Sequence, residues 1–125
     1  MSDLELTRQI LSQIVDSVNR ILCRFEPVDG VDWFLDTEEG LEKLDAICMQ
    51  LIAIGESLKN LDKVAGTKLL ERYPQVDWKG AKGMRDIITH HYFDLDAEAV
   101  YNVCAAKLPE MKSVLLKIIE DIEAI

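Results

Sequence analysis

Proline is scarce in this chain, three residues in 125, and glycine is little commoner at six. That leaves few turn formers for a fold of many short strands and points to long helices instead. Long apolar runs are missing too: the longest uncharged one, Ala46 to Gly55, falls far short of the roughly 20 residues a membrane-spanning helix needs. The sequence starts with Asp3 and Glu5 and has no basic n-region, which is unlike a secretory signal. Cysteine is limited to Cys23, Cys48 and Cys104, an odd number, widely spaced and without a CxxC pair. Buried free thiols in a reducing compartment are the expectation, and the protein is expected in the cytoplasm. There is no glycine-rich phosphate loop, no GxSxG, no Cys–His nucleophile pattern, no repeat and no low-complexity segment.

What is present suits one helical domain. Apolar residues make up 49% of the chain and charged residues 30%, an ordinary mixture for a globular protein with a continuous core. Residues 3 to about 26 read as a first helix, with Leu4, Leu11, Val18 and Phe25 every seven residues, Ile14 and Ile21 between them, and Ser2 or Asp3 as cap. Residues 26–36 read as a turn region, where Pro27 and Asp29-Gly30 end the helix and Trp33 and Phe34 pack over the bundle end. Asp36 or Thr37 caps a second helix that runs to about Leu61 on a seam of Leu41, Leu44, Cys48, Leu51, Gly55 and Leu58. Gly55 inside a helix costs up to about 1 kcal/mol relative to Ala, so a close approach by another helix, such as the one carrying the motif below, is expected there.

A break over 62–66 and a short helix over 67–73 follow, ended by Tyr73-Pro74. Asp77 caps a helix from Trp78 to about His91, with Trp78, Ala81, Met84, Ile87 and Ile88 as its buried stripe; Gly80 and Gly83 thin one side. Asp94 or Asp96 caps the next helix, which carries Val100, Val103 and Cys104 inward and reaches about Lys107. Pro109 marks either a kink or the first turn of a last helix, whose stripe from Met111 to Ile122 continues toward the terminus. The predicted architecture is all-α: a single domain over 1–125, an antiparallel helical bundle of four long helices plus a short one.

The net charge of −9 argues against a nucleic-acid partner until its distribution is considered. Between Lys59 and Arg85 seven basic residues face three acids, so this quarter carries +4 while the rest carries −13. The basic quarter leads directly into Met84-Arg85-Asp86-Ile87-Ile88-Thr89-His90-His91-Tyr92. Arg forks onto phosphate, His exchanges protons near neutral pH, and no Ser or Cys nucleophile is close by. This set suits metal-free phosphodiester chemistry in which RNA supplies its own 2′-hydroxyl. Consecutive His90 and His91 diverge on a helix and lack the i, i+4 spacing of paired ligands, so neither a metal nor another cofactor is expected. Tyr101 with Trp78 or Trp33 would make a base-stacking surface, although scattered aromatics more often belong to the core.

The spacing of Arg85, His90 and Tyr92 resembles the RxxxxHxY signature of HEPN-domain toxins of the HepT type. Ile54-Gly55-Glu56, Tyr73-Pro74-Gln75-Val76-Asp77-Trp78 and Tyr92-Phe93-Asp94-Leu95-Asp96 are similar to further landmarks of that family, over roughly residues 40 to 115. A structural reading also exists, in which His90 caps a helix end and Arg85 is a surface ion-pair partner. The flanking landmarks favour function. On a helix, Arg85, Thr89 and Tyr92 share nearly one face while His90 lies well round the cylinder. Either the Arg bends and the last turn adjusts, or the two meet across a dimer interface.

The resemblance implies a homodimeric endoribonuclease toxin paired with a minimal nucleotidyltransferase antitoxin, acting on RNA rather than DNA or a membrane. It assigns catalysis to Arg85 and His90 and makes Tyr92 the residue that the antitoxin adenylylates. His91, Thr89, Lys82 and Asp86 are supporting or RNA-contact residues, Asp86 standing where many relatives carry asparagine. The alternative is a non-catalytic helical subunit that binds a nucleotidyltransferase and a nucleotide. Glu56 reads as a solvated or ion-paired acid with the reach to orient Arg85.

Overall fold

Leucine, isoleucine and valine at helical spacing draw most of this chain into helix, and cap and turn residues such as Thr37, Gly66, Asp77 and Asp96 mark where helices start or stop. The computed structural model describes residues 3–90 and 96–124, without the side chains of Ile87, Thr89 and His90. The helices are α1 (Asp3–Phe25), α2 (Val31–Leu35), α3 (Glu38–Ala65), α4 (Lys68–Glu71), α5 (Trp78–His90), α6 (Ala97–Asn102) and α7 (Leu108–Glu123). A π-helical turn, Val103–Lys107, joins α6 to α7. The described residues contain no strand, and the fold is all-α as predicted.

The longest helix, α3, is central: α1 and α5 both pack on it, while α7 packs on α1. Their seams supply the core, with Leu11, Ile14, Val18 and Ile21 from α1, Ile47, Leu51, Ile54 and Leu58 from α3, and Leu115 and Ile118 from α7. Each such side chain contributes about 1.5–3 kcal/mol on burial. A polar contact crosses the α1–α3 interface, where the Ser17 hydroxyl donates to Gln50 Oε1 at 2.6 Å. Leu4 and Leu41, both on predicted seams, are exposed; each sits in the first turn of its helix.

Several boundaries differ from the sequence reading. The segment over 26–36, predicted as a turn region, contains α2, which puts Phe34 fully inside while Trp33 stays half-buried beneath the Lys43 amine. A side chain at Gly40 would run into the carbonyl of Trp33 and come within 2.9 Å of that of Phe34. Glycine there lets α2 lie directly on the first turn of α3. Thr37 caps α3, its hydroxyl accepting from Gly40 N at 3.0 Å. Instead of ending near Leu61, α3 continues to Ala65 and stops at Gly66, whose φ of 90° is left-handed and suits glycine. Asp96 caps α6, accepting from the N–H groups of Glu98 and Ala99 at 3.0 and 3.2 Å. Of the other cap candidates, Asp36 is the C-cap of α2, and Ser2 and Asp94 lie outside the described residues.

Pro109 stands in the first turn of α7. It lacks the N–H that would bond back into the preceding turn, and that turn has the wider π geometry. Tyr101 meets the Phe25 ring edge-on at 5.1 Å between centroids, and Phe25 in turn meets Phe34 at 6.3 Å. Tyr101 therefore belongs to an aromatic cluster of the core rather than to a base-stacking surface with Trp33 or Trp78.

Two of the three thiols are buried as expected. Burial, with Asp45 nearby, pushes the Cys48 thiol up to about 11; burial, with Cys48 nearby, pushes Cys104 up to about 12. Cys23, predicted to be buried, is exposed, because it lies two residues past Ile21 and so off the apolar face of α1. Alkylation at mildly alkaline pH, followed by intact mass, should therefore add one label to the native protein and three after denaturation. Two labels or none on the native protein would contradict this burial pattern.

Candidate functional site

The motif helix α5 is anchored before the motif begins. Asp77 caps it, its Oδ1 accepting from Gly80 N at 3.0 Å. Trp78 is buried and its indole N–H donates to the Tyr73 carbonyl at 2.9 Å. The Tyr73 hydroxyl donates to Asp121 Oδ2 at 2.6 Å, and the Lys117 amine reaches Asp121 Oδ1 at 2.9 Å, so the segment leading into α5 is tied to α7. Burial, with the bond to Asp121, pushes the Tyr73 hydroxyl up to about 12. The bonds from Tyr73 and Lys117 hold the Asp121 carboxyl below its ordinary range. Ile88 is buried, and Ala81 and Met84 are half-buried against the core; the Ile87 side chain lies outside the description.

Gly55 sets how closely α5 approaches α3. A Cβ built at Gly55 would lie 3.1 Å from the carbonyl oxygen of Ala81 and 3.3 Å from that of Lys82. The close approach expected from a mid-helix glycine is thus present, and it is to the helix carrying the motif. Gly80 faces its own cap, the Asp77 carboxylate, while Gly83 has open space beside it.

At this closeness the charged side chains of the two helices meet. Arg85 Nη1 donates to Glu56 Oε1 at 3.2 Å, with both side chains about half exposed. Lys59, one turn along α3, places its Nζ 3.7 Å from the same Glu56 oxygen. Pairs this exposed contribute about 0–1 kcal/mol, so the cluster does not lock Arg85 in place. Lys82, expected as an RNA contact, forms a less exposed ion pair with Asp62. With side chains 25% and 17% exposed, this pair is an inter-helix tie more than a surface charge. Asp86 is exposed.

His90 is the final residue of α5, and Thr89 precedes it; their side chains lie outside the description, as do His91 and Tyr92 entirely. The structure therefore brings Arg85 together with Glu56 and Lys59, whereas the meeting of Arg85 with His90 and Tyr92 lies outside the described residues. Among those residues no group of three His, Cys, Asp or Glu gathers as metal ligands. Sequence reasoning gave Glu56 a conditional role and missed Lys59 and Asp62. The i, i+3 spacing of Glu56 and Lys59 was a visible signal; the partner helix was not. A cleft of about 310 Å³ is lined by Leu51, Ile54, Met84 and Met111, with Asp77, Lys107 and Glu110 among its polar residues; Arg85, Glu56 and Lys59 do not line it.

A family model described as "Ribonuclease HepT-like" matches residues 26–118. The chain belongs to the HepT-like ribonuclease family. A protein of Methanocaldococcus jannaschii provisionally named an RNase is 37% identical over 78 residues, which are 62% of this chain and 61% of that protein. Another provisionally named RNase, from Caldanaerobacter subterraneus, is 31% identical over 100 residues, 78% of this chain and 85% of that one. A longer M. jannaschii protein, named as a gamma-glutamylcyclotransferase and provisionally an RNase, is 33% identical over 79 residues, 63% of this chain but 34% of its own length. This HepT-like chain thus spans about three-fifths of the first relative's length. No solved structure matches it significantly. No described helix is long and apolar enough to cross a membrane.

The Gly55 approach is open to test. In Gly55→Val the added carbons meet two backbone carbonyls that cannot yield without moving α5. Urea unfolding should show a loss of about 1–3 kcal/mol, the usual cost of overpacking. Unchanged stability would mean that the two helices are not held at this distance.

Proposed function

We propose that this chain is a metal-independent endoribonuclease toxin whose activity depends on Arg85 and His90. The observation that carries the reading is the half-exposed Arg85 guanidinium, held beside Glu56 on the helix that ends at His90. Membership of the HepT-like ribonuclease family supports it. The guanidinium forks onto the scissile phosphate and stabilises the charge that develops there. The chain acts as a homodimer, so two copies of His90 flank one cleft. One His90 imidazole takes the proton from the ribose 2′-hydroxyl, and the 2′-oxygen attacks phosphorus. The P–O5′ bond breaks and the departing 5′-oxygen takes a proton from the second imidazole. The products are a 2′,3′-cyclic phosphate and a 5′-hydroxyl. Each well-placed proton transfer supplies about 10²–10⁴-fold. His91, Thr89 and Asp86 support RNA binding, while Lys82 acts chiefly through its tie to Asp62.

The activity is restrained in the cytoplasm by a minimal nucleotidyltransferase antitoxin that adenylylates Tyr92. An adenylate two residues past His90 adds negative charge and bulk in the path of the substrate phosphate.

Arg85→Ala and His90→Ala should each reduce cleavage by at least about 10²-fold and leave the helical circular dichroism unchanged, while His91→Ala keeps most activity. The parent protein should cut in excess chelator and leave cyclic phosphate ends. RNA bound but left uncut by the parent protein would favour the non-catalytic subunit instead. Metal-dependent cutting that leaves 3′-hydroxyl ends would overturn the 2′-hydroxyl mechanism.

Co-expression with a cognate nucleotidyltransferase should add adenylate mass to the peptide containing Tyr92, and Tyr92→Phe should escape the addition. An adduct that persists in Tyr92→Phe would assign the modification elsewhere.

A further inference from the structure

One feature of the motif helix has no counterpart in the RxxxxHxY pattern: two cations from different helices converge on a single carboxylate oxygen. Arg85 Nη1 lies 3.2 Å and Lys59 Nζ 3.7 Å from Glu56 Oε1. We propose that Lys59 and Arg85 are two cationic arms of one RNA-phosphate subsite, and that the Glu56 carboxylate occupies this subsite in the RNA-free protein as a built-in competitor. The inference rests on the ribonuclease reading above and extends it to a second cation and to a competing anion.

Two cations this close repel each other unless an anion sits between them, so the arrangement selects for negative charge at that point. In the RNA-free protein Glu56 supplies it. A phosphodiester offers one full negative charge on two non-bridging oxygens. It can fork onto the guanidinium and still present an oxygen to the Lys59 amine. The exchange is accessible because all three side chains are 39–50% exposed, so water screens the resident ion pairs and the displaced carboxylate is readily solvated. Lys82 is no rival for the phosphate, since Asp62 holds it in the less exposed pair. The subsite exists only because α5 comes close enough to α3 at Gly55 for a residue of one helix to share a partner with a residue of the other.

The competition has a sign that sets it apart from a positioning role for Glu56. If Glu56 competes with phosphate, removing its charge strengthens RNA binding; if it orients Arg85 for the substrate, removing it weakens binding. The experiment is a fluorescence-anisotropy titration of the full chain with a single-stranded RNA oligonucleotide carrying 2′-O-methyl on every ribose, which cannot be cut, over a series of salt concentrations. Glu56→Gln should bind several-fold more tightly than the parent at low salt, with the gap closing as salt rises. Lys59→Gln should bind several-fold more weakly, and its log K against log salt should be shallower by about 0.7, the loss of one single-strand phosphate contact. Arg8→Gln, on α1 with its own partner Glu123 on α7, should behave as the parent. Melting temperatures check that the variants remain folded.

Equal or weaker binding by Glu56→Gln overturns the competitor role, and a Lys59→Gln curve that follows Arg8→Gln overturns the second arm. Absence of binding by the parent overturns both. The ribonuclease reading is judged separately, on unmodified RNA. If Arg85→Ala abolishes cutting while the Glu56 and Lys59 variants bind as the parent does, only the two-arm subsite fails. If Arg85→Ala cuts as fast as the parent, the ribonuclease assignment itself fails.

Discussion

The site depends on one steric fact, the absence of a side chain at Gly55. With backbone carbonyls of α5 little more than 3 Å from where a Cβ would stand, α3 and α5 are in contact along their main chains. The ion pairs described between the two helices use that short distance. Arg85 reaches Glu56, Lys82 reaches Asp62, and Lys59 joins the first pair from the next turn of α3. A bulkier residue at 55 would separate the helices by an amount these side chains could span only by abandoning their geometry.

The α5 helix also needs a fixed starting point, and the structure supplies three restraints there. The Asp77 cap sets its first turn, the buried Trp78 ties that turn to the Tyr73 carbonyl, and the Tyr73 hydroxyl ties the incoming segment to Asp121 on α7. Here the effect is that the motif is carried on a helix positioned from both α3 and α7. The acidic excess elsewhere in the chain is compatible with phosphate recognition because the local charge, not the sum, acts at contact distance in salt.

Much of the fold was legible in the sequence because helical burial is periodic. The seams of α1, α3 and α7, the Asp77 cap and the meaning of Gly55 all came from local pattern. The errors have local causes as well. The α2 helix has only five residues, too few to display a period, and α3 outran its prediction because Val64 still packs against the core and Gly66 supplies the actual stop. Cys23 was misread because apolar neighbours in sequence are not neighbours on a helix face.

The candidate site divides in the same way. The sequence by itself determined the motif residues Arg85, His90 and Tyr92, the basic quarter that precedes them and the all-α class, since each depends on residue type and spacing along one chain segment. Only the tertiary structure decided that Arg85 shares the Glu56 carboxylate with Lys59, that Lys82 is taken up by Asp62, and that Tyr101 turns inward to Phe25. Those outcomes depend on distances between helices far apart in sequence. Such distances are set by packing at the contact, here by one missing Cβ, and no periodicity within a single helix encodes them.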